Sequence, residues 1–234
     1  MKIFFLLLTF SSMAHAEKKY DFSKALDSLK NGPKLDCEEN NGSVKHRLTS
    51  AYRAKGANCS KFITDSGELG AHGKVIVNHI NKISGTRFFE NQIGAIAAAC
   101  PKWTKLSKAE KEHFWVWFFA ALAFKESTCK EGQINRNATH GSAVGYFQLN
   151  ERVKDRRWRD GPSGSSCGAL EVKSSIPNIK CSMEIFNEQL KGQDGIYKGN
   201  GDIVGRGAHS YWQDLRQSSN HSVIRMVKDF PPCK

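Results

Sequence analysis

One carboxylate in this chain is placed where it could do acid–base chemistry. The run Phe114–Phe124 is apolar, and directly after it come Lys125, Glu126 and Ser127. A glutamate at the C-terminal end of a buried helix is disfavoured as an anion twice. Burial removes its hydration, and the negative end of the helix dipole repels it. Both effects raise its pKa, and a carboxyl group that keeps its proton near neutrality is what a general acid requires. The bland alternative is a solvated helix end where Glu126 is merely tolerated. Other reactive side chains group less well. His140 and His209 have no Ser or Cys nucleophile beside them in a recognisable pattern, so a hydrolytic triad is not indicated. The seven cysteines (Cys37, Cys59, Cys100, Cys129, Cys167, Cys181 and Cys233) form no C-x-x-C and no zinc spacing with histidines, so neither a metal nor a cofactor is expected. The densest basic run, Arg152-Val-Lys-Asp-Arg-Arg-Trp-Arg159, suits nucleic acid, peptide carboxylates gripped by arginine forks, or a solvated loop.

The element that must position Glu126 is the clearest in the chain. Ser107-Lys-Ala-Glu110 is a capping box at the head of the apolar run. It predicts a helix from Lys108 to about Glu126, apolar all round and therefore buried on most sides. The aromatic stretch Phe114-Trp-Val-Trp-Phe-Phe119 reads as the core of that helix rather than a membrane or cofactor contact. Helical periodicity also marks Tyr20–Leu29, Val44–Lys55, Gly70–Ile83, Asn91–Ala99, Ile179–Leu190 and Asp202–Arg216. Gly132–Ala143 reads as loop and Asp155–Pro177 as irregular. Period-two alternation is nearly absent, and at most a short hairpin fits near Ala143–Leu149. The expected class is mostly α, with α+β character only through that hairpin, and disulfide-containing.

Four stretches, taken in order, resemble the lysozyme-like lytic transglycosylases (the soluble lytic transglycosylase and goose-type lysozyme group). Ala123-Phe-Lys-Glu-Ser127 is similar to the motif in which a helix ends in the catalytic Glu-Ser. Ser142-Ala-Val-Gly-Tyr-Phe-Gln-Leu149 resembles the second motif, G-x-x-Q, through Gly145 and Gln148. Pro177-Asn-Ile-Lys-Cys-Ser182 resembles the third, with Ser182 where a Gly is usual. Ser210-Tyr-Trp-Gln213 resembles the fourth, with Trp212 where an Asn often stands. The resemblance implies a lysozyme-like α fold and cleavage of the bond between N-acetylmuramic acid and N-acetylglucosamine. Glu126 would be the acid and then the base, with the substrate's 2-acetamido group standing in for a second carboxylate. No acidic residue lies within the matched motifs; Asp155 and Asp160 are nearby, either to place water or paired with arginines. The implied substrate-binding set is Ser127, Gly145, Tyr146, Gln148, Tyr211 and Trp212. Within it Gly145 would allow close backbone approach, Gln148 would bind a sugar amide or close a turn, and Tyr211 would orient Glu126. Tyr146 and Trp212 would be stacking platforms or core.

The first residues, Met1-Lys-Ile-Phe-Phe-Leu-Leu-Leu, followed by Ala14-His-Ala16, form a secretory leader cut near Ala16. The expected organisation is a leader over 1–16, a helical region over 17–100 packed on or extending the catalytic domain, and a catalytic domain over 101–234. A periplasmic or secreted protein keeps most cysteines paired, and an odd number leaves one over. The net charge of +12 draws the chain to polyanions, and behind a leader the wall polymer peptidoglycan is the expected partner. Nucleic acid, stable membrane insertion and oligomerisation are not expected. Three further readings stay open: a hydrolytic lysozyme, one selective for deacetylated peptidoglycan, and a non-catalytic wall-binding protein. Ser182, Trp212 and the loop at 155–173 are the positions where altered-glycan specificity would lie.

Overall fold

The computed structural model describes residues 59–138, 141–150, 167, 171–192, 201–204, 211–216 and 222–234. The chain divides into two units, Met1–Glu39 and Asn40–Lys234, and every described residue belongs to the second. The leader, Cys37, the expected helices at 20–29 and 44–55, His140, the basic run at 152–159, Asp155, Asp160 and His209 lie outside the described residues.

A central helix organises this unit. It spans Lys108–Ser127, preceded by the short helices α1 (Ala71–Ile80) and α2 (Ile96–Ala99), and is α3 in chain order. The capping box forms as the sequence predicts. The Glu110 amide donates to Ser107 Oγ at 3.3 Å, and the Ser107 amide donates to Glu110 Oε2 at 2.6 Å. From Phe114 to Ala123 every side chain of α3 is buried, because the helix packs against α1 and the helix α5 (Ser222–Val227) and Phe186 of the helix α4 (Ser175–Leu190) reaches the rings of Trp115, Phe118 and Phe119. Phe88, Trp103, Phe114, Trp115, Phe118, Phe119 and Phe186 meet mostly edge to face, the geometry that ring quadrupoles favour. Trp115 and Trp103 bury their rings while donating indole N–H bonds to the Phe88 and Glu90 carbonyls, at 2.6 and 2.8 Å. Among the described residues no helix is long and apolar enough to cross a membrane.

The end of α3 is built to turn sharply. Thr128 and Cys129 both take left-handed backbone, φ 53° and 54°. Their amides close onto the Phe124 and Ala123 carbonyls at 2.9 and 3.1 Å, a Schellman-type stop made without glycine. Cys129 is also tied by a disulfide to Cys59. Cys100–Cys233 and Cys167–Cys181 complete the pairing among the described cysteines. Such crosslinks persist in oxidising compartments.

The hairpin is wider than expected. Three two-residue strands form an antiparallel sheet in the order β1 (Ile134–Asn135), β2 (Ala143–Val144) and β3 (Leu149–Asn150). Val144 pairs Ile134 on one side and Leu149 on the other. The stretch read as loop therefore supplies an edge strand. Three other expectations need correction. Of the helix expected over Asn91–Ala99, only Ile96–Ala99 is helical, because Gly94 pairs with Asp202 in an isolated bridge. The helix expected over Asp202–Arg216 is absent at 211–216, which holds a 3-10 turn at Gln213–Leu215. Helix α4 begins at Ser175 rather than Ile179, with Pro177 in the first turn, where a missing amide costs nothing.

Candidate functional site

Glu126 lies in the last turn of α3 and is partly covered, and the turn at Gln213–Leu215 packs against that helix. Its carboxyl is pushed up to about 8. Burial is the largest cause, the charge of Asp214 adds to it, and the exposed Lys125 opposes both. The sign is the one expected from the helix end alone, but Asp214 is a contributor that the sequence reading passed over.

Tyr211 bridges the site to the sheet. Its hydroxyl accepts the Asn150 amide at 2.7 Å, and the phenol is pushed up to about 12, by burial first and also by the charge of Glu126, with the Asn150 bond working against them. The two groups thus share one environment. Trp212, next in sequence, turns the other way. It is buried, and its indole N–H donates to the Phe147 carbonyl at 2.9 Å. It anchors 211–216 to the turn between β2 and β3 and presents no open face to a sugar.

That turn is held from below by Asn178, a fully buried side chain of α4. Its Nδ2 donates to the carbonyls of Val144 and Val172 at 3.0 and 2.9 Å, and its Oδ1 accepts the Phe147 amide at 3.2 Å. Gly145 sits directly over this amide with φ +75°. A Cβ there would lie 2.6 Å from Asn178 Nδ2. Gly145 is therefore required twice, by its left-handed backbone and by the close approach. The glycine of one motif and the asparagine of another are the two halves of one contact, which the sequence shows only as separate residues.

The remaining expected site residues have structural duties. Ser127 is buried and its hydroxyl donates back to the Ala123 carbonyl at 3.0 Å. Gln148, at φ 48°, donates its amide N–H to the carbonyls of Gly145 and Gln133 at 2.9 and 3.2 Å, closing the turn. Tyr146 is buried edge-on between Phe62 and His72, with centroids 5.1 and 5.2 Å away. Burial, reinforced by Glu131, pushes its phenol up. Tyr146 is core, not a stacking platform. Ser182 is also buried, its hydroxyl donating to the Asn178 carbonyl at 2.7 Å. Neither Ser182 nor Trp212 lies open where altered-glycan specificity was looked for.

Glu126 thus feels the charge of Asp214 and in turn acts on Tyr211, while Gly145, Gln148, Asn178 and Trp212 hold the β2–β3 turn to which Tyr211 is tied through Asn150. Asp214 was hidden by the helical reading of its segment, which forms a 3-10 turn at Gln213–Leu215 instead.

No protein-family model matches the sequence, and no curated protein matches it. The fold is similar to that of DslA, a Bdellovibrio protein. Its wild-type structure superposes with a TM-score of 0.52 at 19% identity, covering 70% of this chain and 91% of that one. Two DslA variants, each with one glutamate replaced by glutamine, match alike at 19% and 18% identity. At that identity the likeness is one of fold.

Proposed function

We propose that the chain is an exported enzyme that cuts the glycan strands of peptidoglycan between N-acetylmuramic acid and N-acetylglucosamine, of the lytic transglycosylase type. A mostly helical fold with a small antiparallel sheet and the motif resemblance support this reading. The observation that carries it is the place of Glu126, partly covered in the last turn of a rigid helix, where burial pushes its carboxyl up to about 8. In the first step Glu126 gives its proton to the glycosidic oxygen, the anomeric C–O bond breaks, and the bonding pair leaves with that oxygen. In the second, the Glu126 carboxylate takes the proton of the sugar's own 6-hydroxyl as that oxygen closes on the anomeric carbon, leaving a 1,6-anhydro end. A rigid pedestal suits this double duty, since one carboxyl must serve both steps without relocating. The three disulfides and the basic charge accord with a place beside an anionic wall.

A second reading, hydrolysis, has one observation in its favour. Asp214 supplies a second carboxylate near Glu126, which most glycosidases use and the resembled group often lacks as a nucleophile. Mass spectrometry of muropeptides separates the two. Purified sacculi, native and deacetylated, would be digested with the wild type and with Glu126→Gln. Products lighter by one water, lost in Glu126→Gln, are expected. Reducing ends would move the assignment to hydrolysis. No release from either wall by folded protein would overturn the enzymatic reading.

A further inference from the structure

The unit carries a basic surface toward the start of α3, apart from Glu126 at its other end. Two segments meet there. The disulfide Cys100–Cys233 joins them, and the Phe114 ring lies against both Trp103 and Phe230, with centroids 5.1 and 5.9 Å away. Helix α5 is fixed to the same place, since it packs against α3 and its Met226 carbonyl accepts the Trp117 indole N–H at 3.1 Å. The apolar residues of both segments go inward: Trp103, Val227, Phe230 and Cys233 are all buried. Between them Lys102, Lys105, Arg225, Lys228 and Lys234 are exposed. Lys102 and Lys105 bracket a 3-10 turn, where residues three apart eclipse one another. Arg225 and Lys228 have the same spacing at the end of α5, which puts neighbours on one helix face. The one side-chain carboxylate on these segments is Asp229, paired with Lys234 at 3.1 Å. Among the described residues no ion pair ties up Lys102, Lys105, Arg225 or Lys228. Gathered like charges repel one another, and a partner's anions would relieve that repulsion.

Resting on the wall reading above, we propose that this surface is a second docking site for peptidoglycan, which holds the carboxylates of its stem peptides while Glu126 works on the glycan. The two segments present no exposed aromatic or large aliphatic side chain. They therefore offer no ring for bases to stack on and no apolar wedge for a lipid layer; what they offer is charge. Four of the five cations are lysines, compact point charges on flexible stems, which suit anions not fixed in one geometry, as on a cross-linked polymer. Phe114 precedes Glu126 by roughly 18 Å along the helix axis, so the carboxylates held here belong to a different stretch of the wall from the bond being cut. Each contact is weak, but one holds the polymer close while the other engages, and the two act together.

The test compares two triple variants of the full chain, each also carrying Glu126→Gln so that the wall stays whole. One has Lys102→Gln, Lys105→Gln and Lys228→Gln. The other has Lys74→Gln, Lys82→Gln and Lys180→Gln, and so loses the same charge elsewhere. Binding to purified sacculi is read by co-sedimentation at low salt. Exposed charge contacts are individually weak, so the first variant should bind roughly fivefold more weakly than its parent. The second should bind like the parent, and both should melt near it. The gap should close on glycan stripped of its stem peptides by an amidase. Equal binding by the two triple variants would overturn the proposal. So would a gap that persists on stripped glycan, or one that appears on phosphatidylglycerol vesicles and not on sacculi. If the first variant does not fold, the parent decides, and binding unchanged between about 0.02 and about 0.5 M salt would overturn the proposal, since exposed charges are screened over that range. Cutting of sacculi by the wild type, with binding indifferent to the three lysines, sinks the docking surface and leaves the enzyme reading. Lysine-dependent binding without any cutting does the reverse.

Discussion

Replacing Glu126 by Gln should make the protein more stable, by an amount that depends on pH. Unfolded, the carboxyl has its ordinary value of 4.5; folded, it holds its proton to about 8. The folded chain therefore binds the extra proton between those two values, and stability falls as pH rises through that window. Below about pH 4.5 the group is protonated in both states and contributes nothing. At about 1.4 kcal/mol per pH unit, the ionisable Glu126 costs on the order of 3 kcal/mol at pH 7 and somewhat over 4 at pH 8. Glu126 is only partly covered, so its charge keeps some hydration, and about 2–3 kcal/mol at pH 7 is the expected gain for Glu126→Gln. For a chain of this size that is a rise of roughly 4–12 °C in Tm. Urea unfolding followed by tryptophan fluorescence at pH 4, 7 and 8.5 would read it. The midpoint should move while the slope stays constant. A difference between variant and wild type that is the same at all three pH values would refute the burial argument for Glu126, whatever its activity.

Three other substitutions probe the frame. Asn178→Ala removes its bonds to the Val144 and Val172 carbonyls and leaves the Phe147 amide without its Asn178 partner; a loss of about 3 kcal/mol or more is expected in thermal melts, with glycan cutting lost as the turn relaxes. Gly145→Ala puts a Cβ 2.6 Å from Asn178 Nδ2 at φ +75°, so it should cost about 1–3 kcal/mol and be partly rescued in the double variant Gly145→Ala with Asn178→Ser, as a double-mutant cycle would show. Trp212→Phe keeps most of the buried ring but strips the Phe147 carbonyl of its donor; roughly 1–3 kcal/mol of destabilisation is expected, whereas no change in stability would mean the indole bond does not anchor 211–216.

The local rules were enough for the pedestal. Ser107 and Glu110 sit at capping-box spacing before an unbroken apolar run, and both conditions for a buried helix ending at Glu126 act within one segment. The direction of the Glu126 shift follows from the same segment. The outcome at 211–216 shows where such rules stop. Its apolar residues fit a helical period, but Trp212 and Leu215 satisfy a 3-10 turn equally well, and the choice fell to the Phe147 carbonyl and the Asn150 amide, some sixty residues away in sequence. Asn91–Gly94 went the same way, drawn from helix into the bridge with Asp202.

The sequence by itself thus determined the helix α3, its cap, the carboxylate at its end and the mostly helical class, because these depend on residues within a few turns of one another. Only the tertiary structure decided which cysteines pair, that Gly145 faces Asn178, that Trp212 turns inward, and that the charge of Asp214 reaches Glu126. Each of those depends on segments distant in the chain meeting at one place, and the free energy of that meeting lies in packing and hydrogen bonds that no single segment contains.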